Sequence, residues 1–344
     1  MTHSAEWRQA LGGACRTRRM LVFVMVKRPL HPAVALLLIA PVLGELVSGH
    51  QSPATFFNPV AFLVFALPYG CGALLCREFA RRWGTGWKGL GLLGVAYALY
   101  EEGIVSRALF NPSWHELPAL AGFDNVGGVN LAYGMVLVHF HVTISIAASV
   151  TIAEVLYPTR RLERWLPDRY VVACAIVLML WAPVLEFLAR GEQPLYRPPL
   201  SLWLGTAVGI GALIVAARFV RPCDASERRA VASPLRFFIV GAINTSTIFS
   251  IVLIAPDVGL QFPLLASLPT IIAVETATLA LIARWSGYGV VWGDQHRLAL
   301  VAGWLAFFLI VNAMADLEQF QGRLLVSGAA VFALAQLWRR VTTR

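Results

Sequence analysis

The chain has little charge. Only 14% of its 344 residues are Asp, Glu, Lys or Arg, against 58% apolar, and its mean hydropathy is +0.68. Soluble domains carry about a quarter charged residues, so this shortage excludes a soluble enzyme of this length and a disordered chain. Lysine is nearly absent: of 28 basic residues only Lys27 and Lys88 are lysines, and the rest are arginines. Cysteine is sparse, at five residues, and no Cys-x-x-Cys pair occurs, so the chain has neither a zinc knuckle nor a dithiol redox motif. A nucleotide-binding loop, a haem-attachment motif and the aspartate-rich motif of prenyl transfer are also missing. The net charge of +9 does not build a nucleic-acid-binding face, because the basic residues fall in short clusters between long apolar runs.

Those apolar runs are what the chain has in abundance. Crossing the hydrocarbon layer as a helix takes about 20 mainly apolar residues. Ten stretches qualify, at 31–49, 57–76, 88–106, 128–156, 170–190, 199–219, 234–255, 262–283, 298–316 and 322–338. No strand-like alternation competes with them. The expected fold is therefore all-α, a polytopic transmembrane bundle of about ten helices embedded in the lipid bilayer. With the N-terminus in the cytoplasm, 24 of the 28 Lys and Arg fall in cytoplasmic connections, leaving Arg107, Arg190, Arg197 and Arg323 outside. Both termini are then cytoplasmic. The arginine-over-lysine bias, with abundant Ala, Gly and Leu, is that of a GC-rich bacterial genome, which places the chain in a bacterial inner membrane. The apolar run Met20–Val26 is too short for a signal peptide. The organisation read from these patterns is a basic cytoplasmic segment 1–28, a single membrane domain 29–338 and a basic tail 339–344.

An ionisable group at the centre of a membrane helix costs about 2.5–3.5 kcal/mol, so each one is a functional candidate by default. Glu101 and Glu102 lie about 13 residues into the third span, a rise of roughly 20 Å from the cytoplasmic side. The fourth span returns from outside with His139 and His141. His141, Ser145 and Ser149 share one face, and His139, Thr143, Ala147 and Thr151 share another. The two histidines point about 200° apart and cannot both ligate one metal ion from a straight helix. Each either joins a site or sits in the core bonded to a neighbour. Glu45 and Glu186 occupy the same outer half, and Glu45, Glu101, Glu102, His139, His141 and Glu186 are expected to converge on one outward-opening polar cavity. Glu275 lies midway along the eighth span, where it defines a second site or pairs with Asn244 of the seventh. Asp316 is expected at the outer interface. The repeated tripeptides Phe57-Asn58-Pro59 and Phe110-Asn111-Pro112 read as helix caps or turns.

The residues Glu101-Glu102-Gly103-Ile104-Val105-Ser106-Arg107 resemble the paired-glutamate motif of the CAAX-protease and bacteriocin-processing intramembrane protease superfamily. That family sets two glutamates and an arginine on one membrane helix and histidines on later ones; here the arginine falls one residue later. The resemblance implies an intramembrane peptidase in which Glu101 or Glu102 activates water and His139 or His141 helps bind a metal or an oxyanion. Glu102 and His141 would be the candidate ligands of a divalent metal such as zinc, and Arg107 the motif's arginine. Three functions fit the pattern: a hydrolase acting on a hydrophobic peptide, lipid or small molecule; a proton-coupled secondary transporter with Glu45, Glu186, Glu275 and Asn244 lining its cavity or carrying protons; and a non-catalytic scaffold or assembly factor.

Overall fold

The computed structural model describes residues 30–115, 117, 124–188, 196–221, 231–260, 262–287, 292–319 and 321–343. The basic segment 1–28, Arg190 and part of the connection between the third and fourth spans lie outside the described residues. Each of the ten sequence-predicted spans is a helix. They are α1 (Pro32–Val47), α2 (Pro59–Arg82), α3 (Gly86–Leu99, continued as a π-helical turn Tyr100–Val105), α4 (Leu131–Leu156), α5 (Asp168–Leu188), α6 (Leu200–Phe219), α7 (Pro234–Ile254), α8 (Leu264–Trp285), α9 (Asp294–Glu318) and α10 (Arg323–Thr342). Eight are long and apolar enough to cross a membrane. Of the other two, α1 is short and α3 carries Lys88, Glu101 and Glu102. The strand content among the described residues is one hairpin, Asn125–Val126 with Val129–Asn130.

Helix starts follow the caps read from the sequence. Asn58 Oδ1 accepts the amides of Val60 and Ala61, with Pro59 at the first helical position. Asn111 instead closes a turn on the Ser113 amide. Asp124 caps α4 through the amides of Ala132 (2.6 Å) and Tyr133 (3.1 Å). Burial pushes the Asp124 carboxyl up, and those two amides pull it back down. Asp316 does more than sit at an interface: it is buried and receives the amides of Gln321, Arg323 and Leu324, joining the end of α9 to the start of α10.

The helix ends sort into two layers that match the Lys and Arg bias. On the side assigned to the cytoplasm, Arg82 pairs with Asp168, Arg81 with Glu154 and Arg161 with Asp294, while Arg77 donates to the carbonyls of Arg161 and Glu163. On the other side, Arg107 pairs with Glu186, and Asn312 donates to the Val47 carbonyl. Contacts between ends assigned to the same side are what an alternating set of spans produces.

The interior consists of two apolar cores that meet on α4. Ile146, Val150 and Ala153 of α4 pack with Leu36 of α1, Leu74 of α2 and Leu93 of α3. Tyr133, Val136, Ile144 and Ala148 of the same helix pack with Ile248 of α7 and with Leu305 and Phe308 of α9. Meanwhile α5, α6, α8 and α10 expose large apolar residues such as Met179, Val208, Leu265 and Phe332, as lipid-facing helices do. Helices α7 and α9 are pressed together at glycines: a Cβ on Gly303 would stand 2.2 Å from the Phe238 carbonyl oxygen, and one on Gly241 would stand 2.9 Å from that of Leu300. Small residues allow this backbone approach, which favours van der Waals packing between membrane helices. Gly303→Val should therefore abolish recovery of monodisperse protein from detergent extracts, judged by size exclusion. Gly328→Val on α10, where an added Cβ meets open space, should leave the profile unchanged.

Candidate functional site

Three helices change from α to π geometry at the candidate glutamates and histidine. The π-helical stretches Val42–Val47, Tyr100–Val105 and His141–Ala148 carry Glu45, Glu101 with Glu102, and His141 respectively. A π turn admits one extra residue, rotates the side chains beyond it onto a new face and occurs often at functional sites. Here it brings the polar residues of α1, α3 and α4 to one place.

At that place, with the carboxylate as acceptor, His141 donates from Nε2 to Glu102 Oε1 at 2.7 Å, leaving Nδ1 to accept from Ser145 Oγ at 3.1 Å. Ser106 donates to the other oxygen of Glu102 at 2.6 Å. Two tyrosines lie against the imidazole, Tyr69 with its ring centroid at 5.9 Å and Tyr97 at 5.6 Å. The Tyr69 hydroxyl faces Glu45, and Tyr97 lies beside Glu101. Among the described residues, one buried oxygen each of Glu45 and Glu101, and the Tyr97 hydroxyl, complete no hydrogen bond. Glycines make room for the rings: a Cβ on Gly44 would fall 2.3 Å from Tyr69, and one on Gly72 would fall 2.1 Å from Tyr97. Three carboxyl groups, one imidazole and two phenols, all titratable, are thus set together in water-poor surroundings.

Two members of the expected outer cavity are elsewhere. Glu186 holds Arg107 at 2.5 Å on the outer side, where Arg107 also donates to the Tyr196 carbonyl. Arg107 has a positive φ of 65°. That left-handed conformation is uncommon for a bulky residue; it terminates α3 and leaves the guanidinium bonded to Glu186 and Tyr196 and not to Glu101 or Glu102. His139 faces the opposite side of α4 from His141. Its Nδ1 donates to Glu275 Oε1 at 2.6 Å, and its Nε2 accepts from Thr245 Oγ1 at 3.0 Å. Asn244 reaches the other Glu275 oxygen at 3.5 Å. Glu275 thus forms a second polar group with His139, and Asn244 joins it at the limit of hydrogen-bond reach.

The second site borders a cavity of about 400 Å³ between α3, α4, α7, α8 and α9. His139, Thr143, Ala147 and Thr151, which share one face of α4 by spacing, all line it, as does Glu275 from α8. The remaining wall is mostly apolar, with Trp87, Trp292 and Trp304 among the lining residues. At the end assigned to the cytoplasm, Trp87, Leu90 and Arg297 also line a smaller cavity of about 180 Å³, whose other walls include Arg77, Arg81, Glu154 and Arg161. Neither cavity is lined by Glu101, Glu102 or His141.

A catalytic zinc ion takes three protein ligands and an open position. Among the described residues no group of three or more His, Cys, Asp or Glu side chains is placed to hold a metal ion. Glu102 and His141 turn their ligating atoms on each other, so this donor set does not fit a zinc site.

The sequence reading missed Tyr69, Tyr97 and Arg297. Tyr97 is one helical turn before Glu101, a spacing at which side chains meet, and it is readable once the glutamates are noticed. Tyr69 and Arg297 come from other helices and carry no local signal. A double-mutant cycle on Glu102→Gln and His141→Asn should return a coupling of about 1–3 kcal/mol in reversible unfolding; additive effects would mean that the two side chains do not touch.

No curated protein and no solved structure matches this chain. A family model does match, over residues 34–256, a stretch that runs from α1 through α7 and includes Glu45, Glu102, His139 and His141. The chain belongs to the family that this model describes, an uncharacterized membrane protein family.

Proposed function

We propose that the protein is a proton-linked membrane transporter of an amphipathic molecule. The observation that carries this reading is the 400 Å³ cavity, apolar along most of its wall and lined at membrane depth by the His139–Glu275 pair. Pockets of roughly 300–1,000 Å³ with few convergent polar groups are the usual form of a small-molecule site. Ionisable residues within membrane spans mark ion and proton pathways.

His139 and His141 give the proton a route. They stand two residues apart on α4, one facing the outer Glu45–Glu101–Glu102 cluster and the other facing the cavity. The other charged groups that line the cavity are Lys88 and Arg297, both at its cytoplasmic end. A proton taken up by the outer cluster and passed across α4 neutralises Glu275 and loosens its hold on His139. That loosens α8 from α4 where the substrate lies. Helix α8 suits such movement, since only 17% of its most apolar stretch is buried, against 67% for α4.

In proteoliposomes containing an NBD-labelled phospholipid, a pH gradient should accelerate the label's passage between leaflets, read as dithionite-accessible fluorescence. Glu275→Gln and Glu102→Gln should each return the rate to that of protein-free vesicles. A wild-type rate equal to that of empty vesicles overturns the reading.

A second reading rests on the chain Ser145 Oγ to His141 to Glu102, which has the order of nucleophile, base and orienting carboxylate. Full burial of Ser145 opposes it. A fluorophosphonate probe that labels the wild type but not Ser145→Ala would support this hydrolase reading; an unlabelled wild type removes it.

A further inference from the structure

The two cavities meet at Arg297, and the charges around that junction do not balance. The smaller cavity is lined by four arginines, Arg77, Arg81, Arg161 and Arg297. Three have carboxylate partners: Arg77 is 2.7 Å from Glu78, Arg81 is 2.6 Å from Glu154, and Arg161 holds both oxygens of Asp294 at 2.6 and 2.7 Å. Arg297 makes no hydrogen bond or ion pair among the described residues, and its Nε is buried without a partner. Among the described residues its guanidinium stands against two indole rings, Trp87 at 5.4 Å and Trp292 at 5.7 Å. Lys88, exposed on the rim of the larger cavity, adds a second uncompensated positive charge.

An unpaired guanidinium beside a cavity calls for an anion, and the fork of Arg matches phosphate oxygens. The space on the other side of Arg297 is apolar. Leu279 of α8 lines that space and is 64% exposed, so the cavity's wall on the α8 side is not sealed by neighbouring helices. Its cytoplasmic end lies at the level where the Lys and Arg bias puts the inner leaflet's headgroups.

We propose that Arg297 receives the phosphate of an anionic phospholipid of the cytoplasmic leaflet, with one acyl chain lying in the 400 Å³ cavity toward His139 and Glu275. Trp87 and Trp292 hold the guanidinium by cation–π contact while leaving its hydrogen-bonding edge for the lipid. Lys88 supplies a second, exposed charge to the headgroup. The three paired arginines hold the nearby carboxylates in direct ion pairs, so Glu154 and Asp294 act on Arg297 only from a distance. The proposal names the substrate class of the transport reading and rests on that reading only for the lipid's fate, since binding needs no gradient.

The test is native mass spectrometry of the full-length, delipidated protein titrated with phosphatidylglycerol or phosphatidylcholine. The wild type should retain phosphatidylglycerol about tenfold more tightly, because the choline ammonium of phosphatidylcholine offsets the phosphate charge that a glycerol headgroup leaves to Arg297 and Lys88. Arg297→Gln should erase the preference, and Arg297→Lys should keep most of it. Gly91→Leu provides a variant independent of Arg297. Gly91 lines the cavity, an added Cβ there meets nothing within 4 Å, and leucine is the better helix former. It should plug the cavity and weaken both lipids. Equal retention of the two lipids by the wild type overturns the proposal, as does an unchanged preference in Arg297→Gln. Displacement of the lipid by millimolar inorganic phosphate would also overturn it, by showing a plain anion site. Selective binding without gradient-driven translocation would support this site and defeat the transport reading alone.

Discussion

A buried imidazole has two polar nitrogens that must find partners where water is scarce, and α4 carries two such rings two residues apart. Helical spacing sends them to opposite faces, so the partners have to come from opposite directions. For His141 they come from α3 and from α4 itself, as Glu102 and Ser145; for His139 they come from α7 and α8, as Thr245 and Glu275. The two apolar cores divide along the same line. Helix α4 is thus at once the wall between the cores and the one element present in both polar sites. Its high burial reflects that double duty.

Much of the fold is legible in the sequence because hydropathy and charge are one-dimensional signals. Span length is set by bilayer thickness, and side is set by Lys and Arg in short connections; both can be read without knowing which helix touches which. The face assignment on α4 is equally local, and His139, Thr143, Ala147 and Thr151 line one cavity as their spacing requires. What spacing does not give is the partner. Glu101 and Glu102 stand out as exceptional, but nothing in the sequence says that His141 and not His139 meets Glu102. Glu45 joins that cluster as depth alone indicates. Glu186, at similar depth, goes to Arg107, because depth orders residues along the membrane normal and leaves their position around the bundle open.

The resemblance to the paired-glutamate proteases fails to find support at the same level. It rests on residues adjacent in sequence, whereas the geometry separates them: Arg107 leaves the glutamates for Glu186, and His139 leaves them for Glu275. In α3 the glutamates stand in a π-helical turn, Tyr100–Val105, that Arg107 follows. An extra residue within a turn changes the facing of everything beyond it, and no propensity in these apolar segments announces where that insertion falls. The aromatic shell of Tyr69 and Tyr97 is hidden for a related reason: its clearest trace is the pair of glycines, Gly44 and Gly72, that yield space to it from other turns.

The glycine contacts between α7 and α9 have a mechanical consequence. Backbone set against backbone leaves no compliant side chains to absorb a change in spacing, so these two helices translate together as one stiff plank. The plank forms one bank of the large cavity, and α4, clamped between two cores, forms another. Among α4, α7, α8 and α9, which border that cavity, α8 is the least buried, and it bears Glu275. The least buried of these walls thus carries a titratable side chain directly.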